Sequence, residues 1–411
     1  MLLVVMLIGM AAALLVYGMV DTSTIALRRN QDTAAAFAQA KQALIGRAAS
    51  DANRPGSLPC PDTDDDGSAE SPIPTDCPSY IGRLPWRTLG LPDLRDGSGE
   101  RLWYAVLSEF ARNPTCAPNC PINSDTKGNI TVYQDSAATT ITTEAVAVIF
   151  APGAALGTQN RDTVATALCP TTGTTIARNL CAANYLDLET AAGVNNATTS
   201  GPFILAPNSG TFNDKVMVIA TADLMPVVEQ RVARELLKVL QLYKANSGCN
   251  CYPWPDLSTG ISDFGLNRGR IPGYDALNPS GPYALPVNWG VGGAPTLPQW
   301  FTDNGWRRII YYAVGKNFLE NGGVGCTSCE PSRTYLSVSV SVDPLCTLSV
   351  WDKEVVILTP GPAGAGRPVT PYPWTDWTPY LDDAGNNDNS NDCYVTPSST
   401  AYARDRIYTF P

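Results

Sequence analysis

The first twenty residues, MLLVVMLIGMAAALLVYGMV, carry no charge and no proline, and no other stretch constrains the fold of this chain as strongly. At about 1.5 Å per residue, a helix of that length matches a hydrocarbon layer roughly 30 Å thick. Helix formers continue through TSTIALRRNQDTAAAFAQAKQALIGRAAS, and no proline follows until Pro55. Ile25, Phe37, Ala40, Leu44 and Ala48 hold an approximate apolar stripe along that continuation. The pattern predicts one helix in two parts, an apolar segment over 1–20 and an amphipathic segment over 21–54. A cleaved secretory signal needs a basic start and a shorter apolar core. A signal anchor holding a periplasmic domain fits better, as does a helix that leaves lipid for a bundle of its own kind.

The run Leu2-Leu3-Val4-Val5-Met6-Leu7-Ile8-Gly9-Met10-Ala11-Ala12, followed by an Ala/Gln-rich amphipathic half from Asn30 to Ile45, resembles the N-terminal helix of type IV pilins and type II secretion pseudopilins. Two features depart from that family. The leader ending in Gly is not in the sequence, and Met1 stands where the family carries an early glutamate. The turn Asp93 to Glu100 before Trp103-Tyr104 is similar, more loosely, to the turn and aromatic strand of pseudopilins. The resemblance implies an assembly helix with Leu2, Val5, Ile8, Ala12 and Leu15 among its packing residues. It also implies an inner-membrane location before assembly and an extracellular filament afterwards, with the chain itself or other pilins as partners.

Beyond the helix the same landmarks occur twice in the same order. Gly82-Arg83-Leu84-Pro85 recurs as Gly269-Arg270-Ile271-Pro272, and Trp103-Tyr104-Ala105-Val106 as Tyr311-Tyr312-Ala313-Val314. Ile149-Phe150-Ala151-Pro152-Gly153 recurs as Ile357-Leu358-Thr359-Pro360-Gly361, and Asp214-Lys215-Val216 as Asp405-Arg406-Ile407. Ordered recurrence of this kind marks a tandem duplication. The first head unit is expected over 55–221 and the second over 222–411, the latter opening with its own helix near 226–245, with Asp223 as N-cap. Strands are predicted at 128–135, 143–150, 334–342 and 348–358; strict Ser/Val alternation from Ser337 to Val342 implies one buried and one wet face. The fold class is therefore α+β: a long N-terminal helix, then two helix-plus-antiparallel-sheet units with disulfide-stapled loops.

Composition narrows the chemistry. A chain of 411 residues with 44% hydrophobic and 16% charged residues can pack more than one core. Histidine is absent, which removes Ser-His-Asp and Cys-His nucleophile systems, His-ligated metals and c-type haem. Acid pairs for glycoside cleavage need no histidine, but no spacing selects such a pair, so an enzyme is not expected. A net charge of −10 disfavours nucleic acid as a partner. Twelve cysteines in loop-rich sequence point to disulfides and an oxidising compartment. Local pairs are expected for Cys60 with Cys77, Cys116 with Cys120, and Cys169 with Cys181. Cys326 and Cys329 have the spacing of zinc ligands, but lack the second pair or histidine that zinc needs, so a disulfide role is expected there too.

No cofactor is required by these features, but calcium has two candidate loops. Asp62, Asp64 and Asp66 alternate before Gly67, with Glu70 next, as in the oxygen-rich part of an EF-hand loop. Ile73 stands where that motif has its bidentate glutamate, and a solvated acidic loop is the competing reading. Asp382, Asp383 and Asp388 form the weaker second loop, and the pseudopilin resemblance also implies calcium in a late loop. Trp300, Trp306, Tyr311, Tyr312, Trp374 and Trp377 are expected to pack in a core or interface, with a glycan or other surface ligand as the alternative. Asn129 and Asn196 each begin a glycosylation sequon.

Overall fold

The computed structural model describes residues 2–72, 76–111, 121–246, 248–255, 267–272, 296–319, 335–340, 350–361, 381, 392–396 and 406–410, without the side chains of 2–23, 339, 340, 395, 396 and 410. Helix makes up 27% and strand 26% of it, which establishes an α+β protein. The chain divides into two compact units, the first comprising Met1–Arg47, Leu58–Asn113 and Gly128–Ala220. The second comprises Ala48–Ser57, Pro114–Lys127 and Thr221–Pro411. By contacts, the short segments Ala48–Ser57 and Pro114–Lys127 thus go with the unit that follows the expected boundary near 221.

In the first unit, helix α1 (Leu2–Ser50) is continuous. Its buried positions Thr33, Ala36, Phe37, Ala40 and Leu44 follow the spacing of one helical face. Lys41 Nζ donates to the Val218 carbonyl, fixing that face to a strand. Residues 24–32 are exposed, so Ile25 does not join the stripe; the seated face begins about two turns later. The sheet consists of β1 (Ile81–Arg83), β2 (Trp103–Val106), β3 (Ile130–Tyr133), β4 (Thr140–Ala151), β9 (Phe203–Ile204) and β10 (Lys215–Ala220). A four-residue helix α2 (Ser108–Ala111) follows β2. Every residue of β4 from Ala145 to Ala151 is buried, which requires cover on both faces of this central strand. Two small hairpins, β5 (Thr166–Leu168) with β6 (Thr175–Ala177) and β7 (Leu188–Glu189) with β8 (Val194–Asn195), are inserted before β9.

In the second unit, helix α3 (Thr221–Asn246) starts earlier than Asp223 and Pro226 suggest. Pro226 lies near the N-terminal end, where its missing N–H removes only one early backbone bond. Short helices α4 (Gln299–Asp303) and α5 (Trp306–Ile309) precede β12. A sheet of β11 (Arg268–Arg270), β12 (Tyr311–Val314), β15 (Val355–Thr359) and β17 (Arg406–Phe410) packs with α3. A second sheet holds β13 (Leu336–Val340), β14 (Trp351–Lys353) and β16 (Cys393–Thr396).

The strand register repeats between units, residue for residue. Gly82 faces Tyr104 and Trp103 faces Phe150 in the first; Gly269 faces Tyr312 and Tyr311 faces Leu358 in the second. Lys215 faces Ala151 as Arg406 faces Thr359. The connecting hydrogen bonds repeat as well: Leu58 N to Phe110 O and Tyr252 N to Phe318 O are both 2.7 Å. The Tyr104 hydroxyl donates to the Pro59 carbonyl and the Tyr312 hydroxyl to the Pro253 carbonyl. Even the parallel pairing of β3 with β9, Val132 opposite Phe203, returns in β13 with β16, Val338 opposite Tyr394.

One break separates the copies. The unbroken β4 corresponds to β14 and β15, which are divided at Glu354, the residue occupying the station of buried Val146. The Glu354 carboxylate accepts from Lys244 Nζ at 2.6 Å and the Tyr252 hydroxyl at 3.0 Å. The Ser/Val strand also differs from its alternation: Ser337 is buried, with its hydroxyl on the Val350 carbonyl, while Val338 is only partly buried.

Candidate functional site

The acidic loop of the first unit begins where Asp62 bridges Arg83 of β1 through paired backbone bonds of 3.0 and 2.7 Å. Asp62 is buried, and its two carboxylate oxygens accept from the Asp65 and Gly67 N–H groups at 2.7 Å each. Burial pushes this carboxyl up to about 6, against the N–H donors, which pull it down. The loop closes over Gly67 at φ +88°, where an added Cβ would lie 2.6 Å from the Trp86 indole, so glycine is required by both backbone and space.

Asp62, Asp64 and Glu70 each bring one carboxylate oxygen within 4.8 Å of the others, the spacing that a hard cation would bridge. Asp66 is not among them: its carboxylate accepts from the Ser68 N–H, and it is fully exposed. Glu70 already accepts from the Thr63 N–H and hydroxyl, at 3.1 and 2.6 Å. Asp382, Asp383 and Asp388 lie outside the described residues.

Behind this loop is a set of residues that spacing alone did not single out. Asp65 turns away from the cluster at φ +68° and receives Arg101 Nη1 at 2.8 Å. Buried Arg83 holds its guanidinium 4.0 Å from the Tyr185 ring and 4.6 Å from the Trp103 ring. Its Nη1 donates to the Arg101 carbonyl and its Nη2 to the Asn179 carbonyl, both at 3.3 Å. Deeper in the same unit, buried Asp214 accepts from the Asp187 N–H and from Asn196 Nδ2 at 2.8 and 2.9 Å. Burial, then the adjacent Asp187 carboxylate, pushes Asp214 well above the usual carboxylate range. Asn196 is thereby a core hydrogen-bonding residue, not an accessible glycosylation acceptor; Asn129 is exposed.

Cys60 pairs with Cys77 and Cys169 with Cys181, each at a Cα separation of 5.6 Å. Cys249 pairs with Cys251, a link that the sequence left open. Cys116, Cys120, Cys326 and Cys329 lie outside the described residues. Of the second-unit aromatics, Trp306, Tyr311 and Tyr312 are core residues, and Trp300 is partly buried with the Arg231 guanidinium over its ring at 5.6 Å. Trp374 and Trp377 lie outside the described residues.

The helix implied for assembly can be followed only in its backbone over its first half, because the side chains of Leu2, Val5, Ile8, Ala12 and Leu15 are outside the described set. Among the described residues, no helix is long and apolar enough to cross a membrane. Where α1 becomes visible in full, Ile25 and Leu27 are exposed, and Ile25, Arg29 and Thr33 border a cleft of about 430 Å³ with Gly97, Gly153 and Lys215. No protein-family model, no curated protein and no solved structure matches the chain.

Proposed function

We propose that the chain is a structural subunit of a type IV pilus-like filament, polymerising through its N-terminal helix and displaying two duplicated head units. The observation that carries this reading is the continuity of α1. One helix joins an uncharged sequence of about twenty residues to a face seated on the first sheet from Thr33 onward, with an exposed stretch between them. An apolar helix leaves lipid only when sibling helices replace the lipid contacts, so assembly needs membrane machinery. Subunits related by a rotation that does not close then form an open helical polymer. The inner membrane before assembly and the cell exterior afterwards are the compartments of this reading, in keeping with the cysteine pairing. Calcium held by Asp62, Asp64 and Glu70 would stabilise a head loop.

The second reading is a minor or tip pilin, or a pseudopilin of a secretion machine, favoured by a head large enough to hold two diverged units. A membrane-anchored periplasmic binding protein is the third. Electron microscopy of filaments sheared from cells, with gold label against the head, separates these. Label along the fibre supports the major-subunit reading, and label at tips alone supports the minor one. Fibres without label, with the chain retained in the membrane fraction, support the anchor and sink both filament readings. An Ile8→Asp variant should stop incorporation while leaving the head folded.

A further inference from the structure

The first unit contains a second cleft, of about 310 Å³, bounded by β1, Trp103, the start of the acidic loop and the β5–β6 hairpin. Its size is at the lower end of small-ligand sites, which run from roughly 300 to 1,000 Å³. We propose that this cleft binds one neutral sugar residue, a proposal independent of the filament reading. The indole Nε1 of buried Trp103 has no hydrogen-bond partner. The rim carries hydroxyls from Thr172, Thr174 and Thr199, whereas the inner wall is apolar, with Ile81, Ile176 and Ala197.

Charge selects against ions. Asp62 and Arg83 both border the cleft, but Asp62 is engaged by two backbone N–H groups. Arg83 is engaged by two carbonyls, and its Nε lies 3.6 Å from Asp65. The acid and the base that border the cleft are thus each engaged by neighbouring groups of the protein. A purely apolar ligand leaves the indole N–H unmatched, and the Thr172 and Thr174 hydroxyls, 2.7 Å from one another, keep spare hydrogen-bonding capacity for a hydroxylated ligand. A ring with C–H faces and hydroxyl groups satisfies both surfaces, and one of its oxygens accepts from Trp103.

The duplicated unit provides an internal control. At the matching stations it has Arg268 for Ile81, Tyr311 for Trp103 and Tyr394 for Phe203. Arg268 pairs with Asp392 at 3.0 Å, and the Tyr311 hydroxyl accepts from Arg270 Nη2 at 3.3 Å. Among the described residues, the cavity left there is about 10 Å³. In that unit the Tyr311 hydroxyl has its partner in Arg270, whereas the buried Tyr394 hydroxyl has none. The Cys169–Cys181 bond anchors the start of the turn that carries Thr172 and Thr174, holding the mouth in shape.

The test uses the full chain in a sugar-free detergent, with the methyl glycosides of glucose, galactose and N-acetylglucosamine as probes. Saturation-transfer NMR and calorimetry report binding; acetate, phosphate and cyclohexanol serve as ionic and apolar controls. At least one glycoside should bind and the controls should not. Trp103→Phe should weaken binding about tenfold or more, the loss expected for one buried hydrogen bond. Thr199→Trp, at the exposed rim, should abolish binding with the melting temperature unchanged. Absence of binding by every glycoside, or binding that survives Thr199→Trp, overturns the proposal.

Discussion

Val146 and Glu354 occupy the same station in the two units, and their neighbours' backbones bond to them in the same way: Leu107 N to Val146 O at 2.9 Å, Gly315 N to Glu354 O at 2.8 Å. Yet one sits inside an unbroken strand of twelve residues and the other divides two strands. The ladder is the same in both units while the side chains around it differ. A buried valine suits a strand covered on both faces; a glutamate needs Lys244 and Tyr252 brought to it. The helices show the same contrast. Burial at Thr33, Ala36, Phe37, Ala40 and Leu44 recurs at Glu229, Val232, Ala233, Leu236 and Leu240, which places Thr33 and Glu229 at matching positions. Thr33 receives the Gly97 N–H at 2.9 Å, whereas Glu229 accepts from Ser124, Thr359 and Arg406.

That pairing yields the largest expected effect. Glu229→Ala leaves Arg406, Thr359 and Ser124 without their acceptor and should cost about 3 kcal/mol, at the lower end for a buried ion pair because Arg406 is partly exposed. Thr33→Ala should cost about 1 kcal/mol. Chemical denaturation of both variants checks the contrast, and equal losses would show that the two stations are not equivalent in load.

Disulfide removal should be nearly as large but asymmetric. The Cys60–Cys77 and Cys169–Cys181 links span 17 and 12 positions, and each double serine variant should lose about 3 kcal/mol. The Cys249–Cys251 link spans 2 positions and should contribute well under that, since so short a loop loses little unfolded-chain entropy. Melting temperatures of the three variants give the order; a Cys249–Cys251 loss matching the others would break the argument.

A smaller effect in the first unit appears with pH. The Asp187–Asp214 pair holds its proton more tightly when folded, so above the ordinary aspartate value near 3.9 the unfolded chain releases a proton that the native unit keeps. Stability from this pair is therefore fully present below that pH and declines as pH rises through the folded value. Melting at pH 5 and pH 8 should differ less in Asp214→Asn than in the parent. An unchanged difference would assign the pH dependence elsewhere.

Calcium should produce the smallest change. Millimolar calcium should raise the melting temperature by a few degrees, Asp64→Ala should cancel the rise, and Asp66→Ala should leave it intact. If chelation and Asp64→Ala both leave melting unaltered, the loop does not hold calcium.

Much of this comparison was legible in residue order. Gly82-Arg83 and Gly269-Arg270, or Tyr104 and Tyr312, are recognisable because a tight approach and a buried aromatic restrict what can substitute. The alternation of Asp62, Asp64 and Asp66 was visible through spacing, but not that Asp62, Asp64 and Glu70 would be the carboxylates whose oxygens converge. Arg83 between Trp103 and Tyr185 left no local pattern, since the three residues meet only after a strand pairing and a long insertion are in place. Ser337 inverted its alternation because a neighbouring carbonyl, supplied by Val350, accepts its hydroxyl.

The two short segments that join the second unit set a constraint on how the protein is made. Ile122 N and Asn123 Nδ2 bond to Asn304, and Ser124 bonds to Glu229, so residues synthesised early wait for partners that emerge much later. Glu229 in turn waits for Arg406 on β17. A ribosome releasing this chain residue by residue can complete the first sheet at Ala220, but the second unit is finished only when β17 arrives. Until then Glu229 is a buried-acid position lacking its cation, which makes the nascent second unit a natural client for a chaperone and any premature stop before Arg406 a folding lesion rather than a trimmed surface.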